Sequence, residues 1–246
     1  MAKEFTQRAL ELDDEIADAH STLGQIHVAS DWDWTSAERE FRRALELNPA
    51  SGKIDMQYGW YLVAMGRRED ALSEMLTARD LDPFYTDSVG QVLHRMGRYE
   101  DAILHLETAF ALRPGSLVGR PGLIDSYARV GRNDEALSAI EQHHSLRGDD
   151  PQTLAAATTA FESGGLEGYY DWLSEQPRVG TRRRARMSGA LERTDETLGF
   201  LEQMYREHVP PYDFLGDHHF DFLHDDPRFR DILRGMNLPM PEDVER

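Results

Sequence analysis

The feature that most constrains this chain of 246 residues is self-similarity. AEREFRRALELNP (37–49), ALSEMLTARDLDP (71–83), AILHLETAFALRP (102–114) and ALSAIEQHHSLRG (136–148) are one pattern written four times. Each copy starts with Ala and carries a large apolar residue four positions on (Phe41, Met75, Leu106, Ile140). A small or compact residue follows three further on (Ala44, Ala78, Ala109, His143). Apolar residues at i, i+4 and i+7 line one face of a helix, and alanines on that face let a neighbouring helix come close. The first three copies end in Pro49, Pro83 and Pro114, which cannot continue a helix.

A second helix precedes each of these. Gly66-Arg-Arg-Glu-Asp-Ala, Gly97-Arg-Tyr-Glu-Asp-Ala and Gly131-Arg-Asn-Asp-Glu-Ala are the same turn, spaced by 31 and 34 residues. The Gly supplies a positive-φ stop for one helix, and the acids after it suit the first turn of the next. Amphipathic segments lie upstream: DMQYGWYLVAM, TDSVGQVLHRM and RPGLIDSYARV. A helical pair recurring at such a period stacks on its neighbours, because one pair cannot bury its own apolar face.

This pattern resembles the tetratricopeptide repeat, a helix–turn–helix unit. The matching positions are Leu23-Gly24, Tyr58-Gly59 and Val89-Gly90, then Ala37, Ala71, Ala102 and Ala136, then the closing prolines. The resemblance implies an all-α, right-handed α-α superhelix of about six helical pairs with a C-terminal capping tail, forming one solenoid over 1–246. Clear repeats are expected at 17–50, 52–83, 83–114 and 117–147, and degenerate pairs at 150–176 and 181–208. Departures are local: the first repeat's turn, SDWDWTSAE, is one residue longer than its counterparts, and repeat four has Ile124 and His143 where Gly and Ala are usual. RALELDD (8–14) copies RALELNP (43–49), so residues 1–14 read as the second helix of a truncated repeat, and the chain as a piece of a longer protein.

Within that family, the DWDW turn, the AEREFRRALELNP helix and the DPRFRDILRGMNLP tail are similar to the C-terminal repeat regions of certain bacterial signalling proteins. There the repeats follow a winged-helix DNA-binding, nucleotide-cyclase or Ser/Thr kinase domain. The resemblance implies a non-catalytic module that binds a peptide or partner helix in a concave groove built from the first helix of each pair, as a sensor or scaffold region. Groove positions fall at Asp18, Ser21 and Gln25, then Lys53, Met56 and Trp60. Phe84, Asp87, Gln91, His94 and Arg95 follow, then Val118, Asp125 and Arg129.

The tail, 210–246, contains DHHFDFLHDD (217–226) and reads as two copies of Asp-x-x-Phe. Asp217 and Asp226 are expected as N-caps. Phe220, Phe222, Phe229 and Leu233 are expected to cover the open end of the last helical pair. A metal-responsive sensor using His218, His219 and His224, or a small-molecule sensor using the groove, is the alternative function.

The remaining features exclude more than they propose. The chain has no Cys, which removes thiol catalysis, disulfides and Cys-ligated zinc. Its formal charge of −18 opposes binding to nucleic acid or anionic lipid. RVGTRRRAR (178–186) runs against that balance and reads as a solvated helix start or a salt-bridge strip. Trp32 and Trp34 are expected to pack between the helices of the first repeat. His143 and His144 read as packing or surface residues. Phosphate-loop, dinucleotide, zinc-protease and serine-hydrolase motifs are missing, and no cofactor or enzyme activity is expected. Without a membrane span or signal-peptide core the chain is expected to be cytoplasmic, with a protein or peptide partner and, as one option, a homodimer.

Overall fold

The computed structural model describes residues 2–212 and 214–244. Met1, Asp213, Glu245 and Arg246, which fall in the spans expected for the first helix and the tail, lie outside them. The described residues form helices joined by short turns. In order these are α1 (Ala2–Leu12), α2 (Ala17–Ile26), α3 (Trp34–Leu47), α4 (Gly52–Ala64), α5 (Arg68–Leu81), α6 (Thr86–Arg95) and α7 (Tyr99–Leu112). Then come α8 (Arg120–Arg129), α9 (Asn133–Arg147), α10 (Pro151–Ser174), α11 (Thr181–Ala190), α12 (Thr194–Arg206) and α13 (Pro227–Gly235). The pairs α2/α3, α4/α5, α6/α7 and α8/α9 fall on the four repeats read from the sequence.

The repeat residues act as their chemistry requires. Gly66, Gly97 and Gly131 have φ of 76°, 73° and 78°, the left-handed conformation that ends a helix without a Cβ clash. On the first helix of the first three pairs a second glycine meets the large apolar residue of the second helix. A Cβ at Gly59 would lie 2.8 Å from Met75 Cε, and one at Gly90 would lie 2.6 Å from Leu106 Cγ. Glycine there sets the interhelical distance. The extra residue in the first repeat's turn is absorbed by a π-helical turn over His27–Asp31, followed by Trp32 at φ 49°. α10 is broken at Gly165 (φ 60°, ψ −147°), and its second arm approaches so closely that a Cβ at Gly168 would lie 2.6 Å from the Ala160 carbonyl oxygen.

Two compact units are present: Met1–Tyr85 with Leu201–Arg246, and Thr86–Phe200. The core of the first holds Phe41, Ile54, Tyr61, Leu62 and Met75 from the repeats, and Phe214, Phe220, Phe229, Leu233 and Met236 from the tail. The core of the second holds Leu106, Ile124, Ile140, Ala157, Phe161, Tyr169 and Leu173.

In the first unit the tail packs on the turns of repeats one and two. Trp34 Nε1 donates to the Met236 carbonyl at 2.8 Å, and Tyr61 Oη donates to the Trp34 carbonyl at 3.2 Å. Trp32 stacks on Tyr205 and His208, with centroids 5.6 and 3.8 Å away. Arg68 donates to the Leu215 carbonyl at 3.2 and 2.9 Å and grips the Asp221 carboxylate. Gly216 lies so near the Val63 carbonyl oxygen that a Cβ would be only 2.2 Å from it. Trp32 is thus covered by Tyr205 and His208, ahead of the tail, and Trp34 by Tyr61 of α4 and Met236 of the tail, in place of the expected packing between the helices of the first repeat. Asp217 and Asp226 do cap their turns, accepting from His219 N at 3.2 Å and Arg228 N at 2.8 Å. Phe220, Phe229 and Leu233 are buried, whereas Phe222 is exposed.

The arginine tract is half-buried at Arg182, Arg183, Arg184 and Arg186 and is not a solvated helix start. Arg184 donates to the Ser174 and Gln176 carbonyls at 3.0 and 3.2 Å, supplying acceptors at the end of α10 with donors. Burial lowers the Arg183 pKa, partly offset by Tyr169 and Tyr170 beside it.

Candidate functional site

The expected groove residues divide by burial. In the first unit, α4 buries nine of its thirteen residues and leaves Lys53, Met56, Gln57 and Trp60 outside that core. Their spacing of i, i+3, i+4 and i+7 makes one stripe along the helix. Lys53 is exposed and donates to Asp18 on α2 at 2.7 Å, which ties the stripe to the neighbouring first helix. Gln25 is half-buried on α2, whereas Ser21 is buried and donates to the Asp18 carbonyl at 3.2 Å. Tyr85 packs against Gly52, which brings the Pro83–Tyr85 turn to the start of α4, and Phe84 on that turn is 53% exposed. Gln57 Oε1 is buried and has no hydrogen-bond partner among the described residues. Gln57 is not among the groove positions expected from the sequence. Its place four residues after Lys53 was the signal that could have found it.

In the second unit, Gln91 is the one residue of α6 that is not buried. Asp87, His94, Arg95 and, on α8, Asp125 are 7, 3, 8 and 1% exposed. They do not form an open wall, because other parts of the same unit use them. Arg113 donates to Asp87 at 2.8 Å, His94 Nδ1 lies 3.2 Å from Ser126 Oγ, and Arg95 donates to the Gln91 carbonyl at 3.2 Å. Tyr170 Oη donates to Asp125 at 2.6 Å, and the carboxylate pushes the phenol pKa well up together with burial, which is the larger cause. Arg129 spans from Asp125, 3.7 Å away, to the Ala190 carbonyl at 2.7 Å. Val118 is exposed.

Two further polar clusters stand out. His143 and His144 are 4 and 2% exposed. His144 Nδ1 lies 2.7 Å from Asp149 and Nε2 3.3 Å from Tyr169 Oη, whereas neither ring nitrogen of His143 has a hydrogen-bond partner among the described residues. In the tail, Asp217, His218 and His219 place three potential ligand atoms within 4.8 Å of one another. His224 does not join them: its Nε2 lies 3.5 Å from Asp221, and its ring stacks on Phe229. Of the three histidines named from the sequence, His218 and His219 fall in this group with Asp217, and His224 lies apart from it.

No protein-family model matches the chain. It is 30% identical over 193 residues to the cellulose synthase operon protein C of Xanthomonas axonopodis pv. citri (strain 306), a match that covers 72% of this chain and 12% of that protein. Among solved structures it resembles PilW, a widely conserved type IV pilus biogenesis factor, with a TM-score of 0.55 and 17% identity, covering 89% of this chain and 87% of that one. It also resembles YrrB, "a TPR protein with an unusual peptide-binding site", with a TM-score of 0.50 and 15% identity, covering 93% and 97%. At these identities the likeness is one of fold. No helix among the described residues is long and apolar enough to cross a membrane. Paired helices, turn glycines, Gly-on-bulk contacts and structural neighbours converge: the chain has the all-α superhelical fold of tetratricopeptide-repeat proteins.

Proposed function

We propose that this chain is a non-catalytic protein-interaction module that takes a peptide or partner helix on the face formed by α2, α4 and the Pro83–Tyr85 turn. The observation that carries this reading is the α4 stripe. Met56, Trp60 and Phe84 offer apolar surface, Gln25 and Gln57 offer amides, and the Gln57 carbonyl oxygen is a buried acceptor with no donor from the described residues. A peptide backbone carries N–H donors at regular spacing, and aromatic side chains are favoured anchors for a bound segment. The peptide-binding site named for YrrB agrees with this class of partner.

The setting we propose is the sensor or scaffold region of a bacterial signalling or transcription-regulatory protein. Support comes from the motifs that carry that resemblance: the DWDW turn and the DPRFRDILRGMNLP tail pack on each other through Trp34 and Met236. The chain spans 12% of the relative named above, so the activity of a whole parent protein lies in this proposal too.

The test uses the tagged chain as bait in a lysate of the source cell. Trp60→Ala with Phe84→Ala removes the anchors, and Leu104→Ser on α7, an exposed outer position, is the control. The proposal predicts a partner captured by the wild type and the control and lost from the double variant. Equal capture by all three removes this face from the account.

A further inference from the structure

We infer that Asp217, His218 and His219 form a divalent metal site for an ion that favours imidazole nitrogen, of the zinc and nickel class. The inference rests on the donor set, on its spacing and on the backbone that holds it.

Two imidazoles and one carboxylate are a common ligand combination for such ions, and three protein ligands leave a coordination position for water or a partner's side chain. Around a tetrahedral ion with ligands at about 2.0–2.1 Å, neighbouring donor atoms stand roughly 3.3 Å apart. Asp217 Oδ1 lies 2.8 Å from His219 Nδ1 and 3.7 Å from His218 Nδ1, values on either side of that spacing. The two imidazole centroids are 4.1 Å apart, so both rings are on the same side of the turn. Two consecutive residues seldom converge in this way, because successive side chains of an extended strand point apart. Here the 3-10 turn that starts at His218 turns them together. Asp217 is fully buried, His219 nearly so, and His218 keeps a solvent-facing edge through which an ion can enter.

The segment is also fixed in place. Gly216 is pressed against the Val63 carbonyl, Arg68 holds the Leu215 carbonyl before the cluster and the Asp221 carboxylate after it, and Phe220 packs on Phe214. A site whose ligands ride on a backbone held by its surroundings loses little freedom on binding. Because those contacts run to the turn of repeat two, a bound ion stiffens the junction between the tail and the first unit's repeats. Binding requires the ring nitrogen that faces the ion to be unprotonated, so affinity falls as the solution is acidified. This inference does not depend on the peptide-binding face.

The test is calorimetric titration of chelator-treated protein with Zn2+ at pH 7.5, with melting measured in parallel. The wild type is expected to bind one equivalent and to melt at a higher temperature with zinc than without. His218→Ala, at the solvent edge, is expected to keep the metal-free melting temperature and to bind at least about tenfold more weakly, the scale on which metal sites respond to loss of ordered partners. His224→Ala is expected to bind as the wild type does, since that ring lies outside the cluster. His219→Gln is a second ligand variant, read by the same titration. The inference is overturned if the wild type takes up no zinc. It is equally overturned if His218→Ala binds like the wild type, or if His224→Ala loses as much affinity as His218→Ala, the pattern of adventitious binding to any tail histidine.

Discussion

His143 gives the chain a calculable sensitivity to acid. It stands where the first three repeats have Ala44, Ala78 and Ala109, and its ring is enclosed with neither nitrogen partnered among the described residues. Burial, helped by the charges of Arg183, His144, Arg147 and Arg120, lowers its pKa from 6.5 to about 3. The folded chain therefore keeps this imidazole neutral while the unfolded chain protonates it. Below pH 6.5 the unfolded state binds a proton that the folded state refuses, so stability is lost progressively from there down to about pH 3. At pH 5 the unfolded pKa lies about 1.5 units above the solution pH, which corresponds to roughly 2 kcal/mol. For a chain of this size that is about 4–8 °C in melting temperature. The assay compares wild type with His143→Ala by urea unfolding at pH 7 and pH 5. Whatever packing energy the substitution removes is common to both pH values, so the readout is the change between them. The variant should lose roughly 2 kcal/mol less than the wild type on going to pH 5. Identical pH dependence in both proteins would refute the reasoning, as would an NMR titration of His143 with a midpoint near 6.5.

Other outcomes follow from the same physics with different signs. Asp55 is buried beside Glu74, and burial followed by their mutual repulsion raises the Glu74 pKa while burial raises that of Asp55. These acids cost stability once the pH exceeds their unfolded values, so Asp55→Asn should raise the melting temperature at pH 7. Trp34→Phe leaves the Met236 carbonyl without its donor and should cost about 1–3 kcal/mol in urea unfolding, with faster hydrogen exchange over 214–236. Gly216→Ala places a methyl group against the Val63 carbonyl and should free the tail for limited proteolysis while far-ultraviolet circular dichroism keeps its helical form.

Local chemistry made much of this fold readable. Gly66, Gly97 and Gly131 announce a positive-φ turn, and the alanine and bulky positions announce which helix face meets which glycine. What escaped was non-local. The bond between Trp34 and Met236 joins residues 202 positions apart, and no periodicity records it. Arg184 read as part of a solvated helix start because its partners, ten and eight residues back, are the main-chain carbonyls of Ser174 and Gln176, which no side-chain pattern records. For the candidate site the division is similar. The repeat resemblance placed Lys53, Met56 and Trp60, and equally Asp87, His94, Arg95 and Asp125, at groove positions. Repeat position does not record that Arg113, Ser126, Gln91 and Tyr170 meet Asp87, His94, Arg95 and Asp125 inside the unit.

The most direct measurement is hydrogen exchange by mass spectrometry on the chain alone and with its captured partner. The account predicts slowed exchange within 17–26, 52–64 and 83–86, with little change on the outer helices α7 and α9. Protection confined to those outer helices, or none within 52–64, would contradict it.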